Sequence, residues 1–336
     1  MSGSLRTLPG KSVAYVLRQG EGDAFNVAGQ IIAVLAGTDE TAGGYGAVVC
    51  EATLDRQPIP LHYHEREYDT WFCTRGRLRI WAENSSRILT EGDFAFVPPN
   101  AVHAYQSVAP RTQFFGIVAP GGWEGFFEGA GSVWLEPGLP ASNHPFDFSR
   151  MGPAMQRFGV MRMPEAVYAE VTDGNETDRQ LPQQRQSFVL QSGYGPRHRL
   201  AGHLATTVLP ASLCDDRMEI RTIEAGLGAS MPPIRHAETH VNLYLLSGAL
   251  SLVLDGEAYV MGAGDFANIP ADTVYSTQVL SGSARWLLSS ANGTGLAFWD
   301  SQGVETQEFT FQAARDQDLR QILSPTSNLV DVTLAA

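Results

Sequence analysis

His62, His64, Asp69 and His103 are the residues of this 336-residue chain whose types and spacing could do chemistry. Three imidazoles and one carboxylate suit the first coordination shell of a divalent transition metal. His62 and His64 are two apart, and side chains at i and i+2 leave the same face of a β-strand. On a helix they would diverge by roughly 200°. The preceding Pro58-Ile59-Pro60-Leu61 disfavours a helix and favours extended chain, so the pair is expected on a strand and aimed together. Asp69 lies five residues beyond His64, an odd spacing, so it can join the histidines only through a bulge or bend within residues 65–68. Glu67 has the same parity as Asp69 and is the fallback carboxylate for catalysis. The third imidazole comes from a second segment, Gly92 to His103, which reads as a turn, a short strand and then the histidine.

These residues sit in the first of two copies of one module. Ile234, His236, Val241 and Tyr275 stand 172 positions after His62, His64, Asp69 and His103. Tyr15-Val16-Leu17 is echoed by Phe188-Val189-Leu190, and Gly92 to Pro98 by Gly264 to Pro270. A repeat of this length means two similar domains. Ile234 and Val241 have no ligating atom, so the second site is degenerate, its His236 a hydrogen-bonded core residue, and one metal per chain is expected. Trp71 shares the parity of Asp69 and Tyr105 that of His103. With Phe115 and Ile117 on the next strand, they are candidate walls of an apolar substrate pocket, or ordinary core.

Period-two patterning recurs in Gln30-Ile31-Ile32-Ala33-Val34-Leu35 and Ala47-Val48-Val49-Cys50, and the 34 glycines and 19 prolines suit many short strands joined by tight turns. Short helices are expected within residues 122–131, in part of 150–170, and as a cap over 311–323; residues 173–180 read as a polar connector. The class is therefore all-β with a few peripheral helices. The expected domains are an N-terminal barrel with the metal site at 1–145, a partly helical connector at 146–180 and a C-terminal barrel without a metal site at 181–336. A formal charge of −13 argues against nucleic acid or an anionic membrane as partner, and no run of about 18 apolar residues could span a bilayer. Cys50, Cys73 and Cys214 are odd in number and lack metal-type spacing, so a disulfide framework is not expected. The first residues contain no apolar signal segment, which points to the cytoplasm; sequons at Asn84, Asn175 and Asn292 would suit a secreted, trimmed mature form.

The pattern H-x-H, four residues, an acid, six residues, Gly76, then Gly92, five residues, Pro98, four residues, His103 resembles the paired signatures of the cupin superfamily. It departs at Arg56 and Asn100, where that superfamily has or often has glycine, and at Asp69, where it has glutamate. Within it the chain resembles the two-domain quercetin 2,3-dioxygenases, on Tyr15-Val16-Leu17, Gly20-Glu21-Gly22, Tyr68-Asp69-Thr70-Trp71-Phe72-Cys73, the Gly92–His103 block, and Trp123 with Phe126-Phe127. The resemblance implies two tandem jelly-roll β-barrels, and metal ligands at His62, His64, His103 and, in place of the family glutamate, Asp69. Some members of that family keep a metal in one barrel only. It also implies a small aromatic substrate, a flavonol or related enol, opened by O2 with loss of carbon monoxide. Asp69 would take the substrate proton, although it is one methylene shorter than glutamate and reaches about 1.5 Å less. The ligand set accommodates copper, iron, nickel, cobalt, manganese or zinc. By analogy a homodimer joined through sheet edges is the expected association. Two other readings stay open: a tailoring enzyme of natural-product metabolism with non-oxidative lyase, isomerase or cyclase chemistry, and a non-catalytic binding bicupin.

Overall fold

The computed structural model describes residues 7–54, 57–291, 295–312 and 332–334. The chain forms two compact units: Glu21–Tyr194, and Met1–Gly20 together with Gly195–Ala336. Each is built from an eight-stranded and a five-stranded antiparallel sheet. In the unit that contains the histidines, the large sheet runs Ser132–Val133, Asp23–Val27, Gln30–Ala36, Gly46–Ala52, Thr112–Ala119, Tyr68–Arg75, Phe94–Val97 and Phe188–Leu190. The small sheet runs Val160–Arg162, His62–His64, His103–Ser107, Leu78–Ala82 and Ser85–Leu89. The period-two segments seen in the sequence become the strands Gln30–Ala36 and Gly46–Ala52. The other unit repeats the plan, and its two sheets enclose one continuous apolar core that includes Ile223, Val241, Leu243, Trp286 and Leu288.

Two boundaries differ from those expected. Tyr15–Leu17 pairs with Phe266–Ile269, and Phe188–Leu190 pairs with Phe94–Val97, so each unit's large sheet is completed by a strand that sequence order would assign to the other. An open sheet edge gains by pairing, and the two strands are the matching elements of the repeat, equally suited to that edge. Residues 146–180 are likewise no separate connector. Leu61, Trp81 and Ala104 form an apolar patch of the small sheet, and Met163, Ala166 and Ala169 pack on it. The carbonyl of Ala169 accepts from Trp81 Nε1 at 2.9 Å and Arg79 Nη2 at 3.0 Å, while Asp178 accepts from Arg87 Nε at 2.9 Å. Covering that patch removes apolar surface from water, which holds the segment to the unit.

Helices occupy Gly125–Ala130 and Met151–Arg157, within the expected windows. The stretch Val160–Arg162, also expected to be partly helical, is instead the edge strand beside His62–His64. The helix expected over residues 311–323 falls, from 313 onward, outside the described residues. No helix among the described residues is long and apolar enough to cross a membrane.

Candidate metal centre

His62–His64 is a three-residue strand whose alternation leaves both imidazoles on one side, with the Tyr63 ring on the other. The pairing of this strand with His103–Ser107 puts His103 directly opposite His62. Beyond His64 the chain bends at Glu65 and Arg66 and re-enters strand at Tyr68, now in the large sheet. That bend is the device the odd spacing of Asp69 requires. The turn before His103 is fixed by Asn100, whose φ of 67° is left-handed and whose N–H donates to His64 O at 2.7 Å. Asparagine tolerates that conformation better than most residues, which accounts for its standing in for glycine.

The structure brings His62, His64 and His103 together: one ligating nitrogen from each lies within 4.8 Å of the others, and all three side chains are buried. His62 Nδ1 donates to Pro60 O at 2.8 Å and His103 Nδ1 to Ala101 O at 2.9 Å, which fixes the tautomer and leaves each Nε2 with a free lone pair. His103 Nε2 and both nitrogens of His64 are buried without a hydrogen-bond partner among the described residues. Burial lowers the pKa of His62 to about 4 and of His64 to about 3, the latter also through His62, and holds His103 well below the usual value. The imidazoles are therefore neutral at pH 7, the state a metal requires. Orphaned, neutral, convergent nitrogens are the observation a divalent ion would explain. Two ligands with bonds of about 2.1 Å on one ion lie at most about 4.2 Å apart, so little movement separates this triad from a coordinating one.

Asp69 stands outside this compact group, with Oδ2 3.7 Å from His103 Nε2, a separation within the span of one ion but beyond a hydrogen bond. Since His103 is neutral, the contact is no ion pair. Burial raises the Asp69 pKa to about 8, with a further push from the Glu67 charge. Glu67 is half-buried between the bend and the strand, has its own pKa raised by burial, and does not join the triad.

Trp71 faces the site, its ring 5.5 Å from His103 and 6.4 Å from Tyr105. Phe115 and Ile117 do not. The register sets Val118 opposite Asp69, Phe114 opposite Cys73 and Phe115 opposite Phe72, so Phe115 and Ile117 share the reverse face of the sheet with Phe72 and Thr70. Phe114 takes the place expected of them, 5.2 Å from Tyr105 in an edge-on contact. Two more residues lie beside the site that the sequence did not single out as its neighbours. Gln30 opens the strand after a tight hairpin, and its Oε1 accepts from Tyr105 Oη at 2.7 Å; its parity with Ile32 was the available signal. Trp123 stands 4.9 Å from His64 with the ring planes at 81°, in a Pro-Gly-Gly segment that reads as a break in the pattern.

In the other unit Ile234 faces Tyr275 as His62 faces His103. Ile234, Val241 and Tyr275 are part of the apolar core, and His236, 2% exposed, has its Nε2 3.0 Å from Tyr275 Oη.

Residues 55–112 and 222–289, one stretch in each unit, match the profile of the cupin domain. The chain is 31% identical over 147 residues to quercetin 2,3-dioxygenase of Bacillus subtilis (strain 168), which covers 44% of this chain and 43% of that enzyme. It is 29% identical over 126 residues to quercetin 2,3-dioxygenase of Aspergillus japonicus, 35% of each. The matched stretch thus spans less than half the length of either relative. Among solved structures, protein Ylba from E. coli superposes with a TM-score of 0.54 at 11% identity, covering 87% of this chain and 95% of its own. Oxalate decarboxylase from Bacillus subtilis gives 0.52 at 14% identity, covering 82% and 76%. These likenesses establish the fold, two jelly-roll barrels in tandem.

Proposed function

From a chain that carries two cupin domains, one of which gathers three buried imidazoles, we propose a metal-dependent dioxygenase that cleaves a flavonol-like or related aromatic enol with O2. The observation that carries this reading is the triad itself: His62, His64 and His103 within 4.8 Å, neutral, with nitrogens left unpartnered in a buried site. A divalent ion held there supplies Lewis acidity, which lowers the pKa of an enol or phenol hydroxyl placed on it. The residues of the chain do the rest. Pro60 O and Ala101 O hold His62 and His103 with Nε2 turned to the site, so little reorganisation is needed on loading. Burial alone keeps the Asp69 carboxyl largely protonated, with its pKa raised to about 8; the positive charge of an ion held by the triad would favour its carboxylate, and Asp69, beside His103, would then take the substrate proton as general base. Trp71, Phe114 and Tyr105 offer the flat apolar wall an aromatic substrate needs, and Gln30 fixes the Tyr105 hydroxyl.

The test is oxygen uptake by metal-loaded protein supplied with a flavonol. One O2 consumed and one carbon monoxide released per flavonol supports the reading. A loaded protein that leaves the flavonol and the oxygen untouched refutes it. One observation favours a second reading: Asp69 lies outside the compact imidazole group, so it can shuttle a proton in non-oxidative lyase, isomerase or cyclase chemistry. Turnover of an enol substrate under strict anaerobiosis would identify that case.

A further inference from the structure

We infer that Trp123 is a positioning residue for His64, holding the one imidazole of the triad that has no hydrogen bond of its own; this rests on the metal reading above. His62 and His103 are each tethered through Nδ1 to the carbonyl two residues earlier, whereas neither nitrogen of His64 has a hydrogen-bond partner among the described residues. A ligating imidazole ordinarily donates its second N–H to an oxygen, which fixes the orientation of the ring. His64 is instead packed among rings: His62 at 5.0 Å and 86°, His103 at 5.2 Å, and Trp123 at 4.9 Å and 81°. The two histidines are fellow ligands, which leaves Trp123 as the outer support. An edge-to-face pair has a preferred geometry as well as a favourable energy, so it can orient a ring without any oxygen acceptor.

Trp123 is itself held firmly. Its ring stacks on Phe126 at 5.3 Å and 17° and meets Phe127 edge-on at 5.0 Å. The next residue, Glu124, pins the segment: Oε1 accepts from Thr38 N at 2.6 Å and Thr38 Oγ1 at 2.8 Å, and Oε2 accepts from Gly122 N at 2.8 Å. Gly46 makes room for this carboxylate, since a Cβ there would stand 2.6 Å from Glu124 Oε2. Residues 120–127 thus form a braced arm that ends on a metal ligand.

The repeat supplies an internal control. At the positions 172 later, Gly295 stands for Trp123 and Leu296 for Glu124, and Ala211, 173 later, stands for Thr38. The unit whose ligand set is lost has lost all three parts of the arm. Its histidine, His236, is held in another way, by the Tyr275 hydroxyl at 3.0 Å and the Tyr275 ring stacked at 17°.

The experiment uses the full chain stripped of metal and titrated with Co(II), followed by visible absorption and a competing chelator. The variants are Trp123→Leu, which keeps apolar bulk without a π face, and Trp123→Phe, which keeps the edge-to-face contact. The expected result is a rise of about tenfold in the Co(II) dissociation constant and an altered absorption band for W123L, in line with the loss of an outer partner of a ligand. W123F is expected to stay within about threefold of wild type, and the melting temperature of the metal-free protein to change equally little in both. W123L that binds like wild type overturns the inference, as does W123F that binds as weakly as W123L. If W123L does not fold, Glu124→Gln tests the brace, and unchanged Co(II) affinity in that variant overturns the inference. Wild-type protein that binds no Co(II) brings down the metal reading itself, a result distinct from normal binding that ignores position 123.

Discussion

His203→Gln should make the unit containing residues 195–336 markedly more resistant to acid. His203 is 1% exposed, its Nδ1 donates to Ala201 O at 3.0 Å, and its Nε2, beside Trp286 and Trp299, is buried without a hydrogen-bond partner among the described residues. Burial lowers its pKa from 6.5 to about 4. Protonation is therefore easier in the unfolded chain. Stability from this group is fully present above pH 6.5, falls as the pH drops because the unfolded state takes up the proton first, and levels off below about pH 4. At 1.36 kcal/mol per pKa unit the whole effect is about 3 kcal/mol, and about 2 kcal/mol has gone by pH 5. That is a sizeable part of the 5–15 kcal/mol typical of folded domains. Glutamine cannot ionise, and it is the residue the first unit carries at the matching hairpin position, Gln30. Urea unfolding of metal-free protein at pH 7 and pH 5 reads the difference: wild type should lose about 2 kcal/mol more than the variant on acidification. The lost Ala201 bond weakens the variant equally at both pH values and cancels, as do all other titrating groups. An equal loss in the two proteins would refute the assignment of His203 as a neutral, buried imidazole.

Two further outcomes test the metal centre. His62→Ala should abolish stoichiometric loading with Co(II) or Zn(II), measured by metal analysis after dialysis; metal content equal to wild type would remove the triad as the binding site. Asp69→Asn keeps the shape of the side chain and removes the base, so metal content should hold while oxygen uptake with a flavonol falls by about 100-fold or more; undiminished uptake would take Asp69 out of the reaction.

The candidate site was legible in the sequence where its assembly depends on local geometry. Two histidines with one residue between them on a strand that follows Pro58 and Pro60 must share a face, and the odd spacing of Asp69 demanded a bend that the structure places at Glu65 and Arg66. What depends on pairing between distant strands was not legible. Whether Phe114 or Phe115 faces the site turns on one step of register between Thr112–Ala119 and Tyr68–Arg75, and a slip of one residue reverses every side chain. The exchange of Tyr15–Leu17 and Phe188–Leu190 was hidden for a related reason: the two strands are alike because they are repeats, so similarity carries no information about which edge each one joins. Trp123 entered the sequence reading only through the family resemblance and not as a neighbour of the site, because its place beside His64 depends on a segment braced through Glu124 to Thr38, 86 residues away in sequence.

The two units show what keeping a site costs. Beside His103 the partner strand carries Ala82, and beside Tyr275 the matching residue is Leu254. Ile234, Val241, Leu254 and Tyr275 all join the apolar core of their unit, so the space that ligands fill in one barrel is filled by packing in the other. Each buried polar atom left without a partner costs about 1–3 kcal/mol, whereas burying an aliphatic side chain stabilises by about 1.5–3 kcal/mol. The first unit keeps an unpartnered His64, an unpartnered His103 Nε2 and a carboxyl group buried at Asp69, none of which serves packing. An ion taken up by the three imidazoles of the folded unit and not by the unfolded chain would offset that cost, since a ligand that binds only the native state stabilises it.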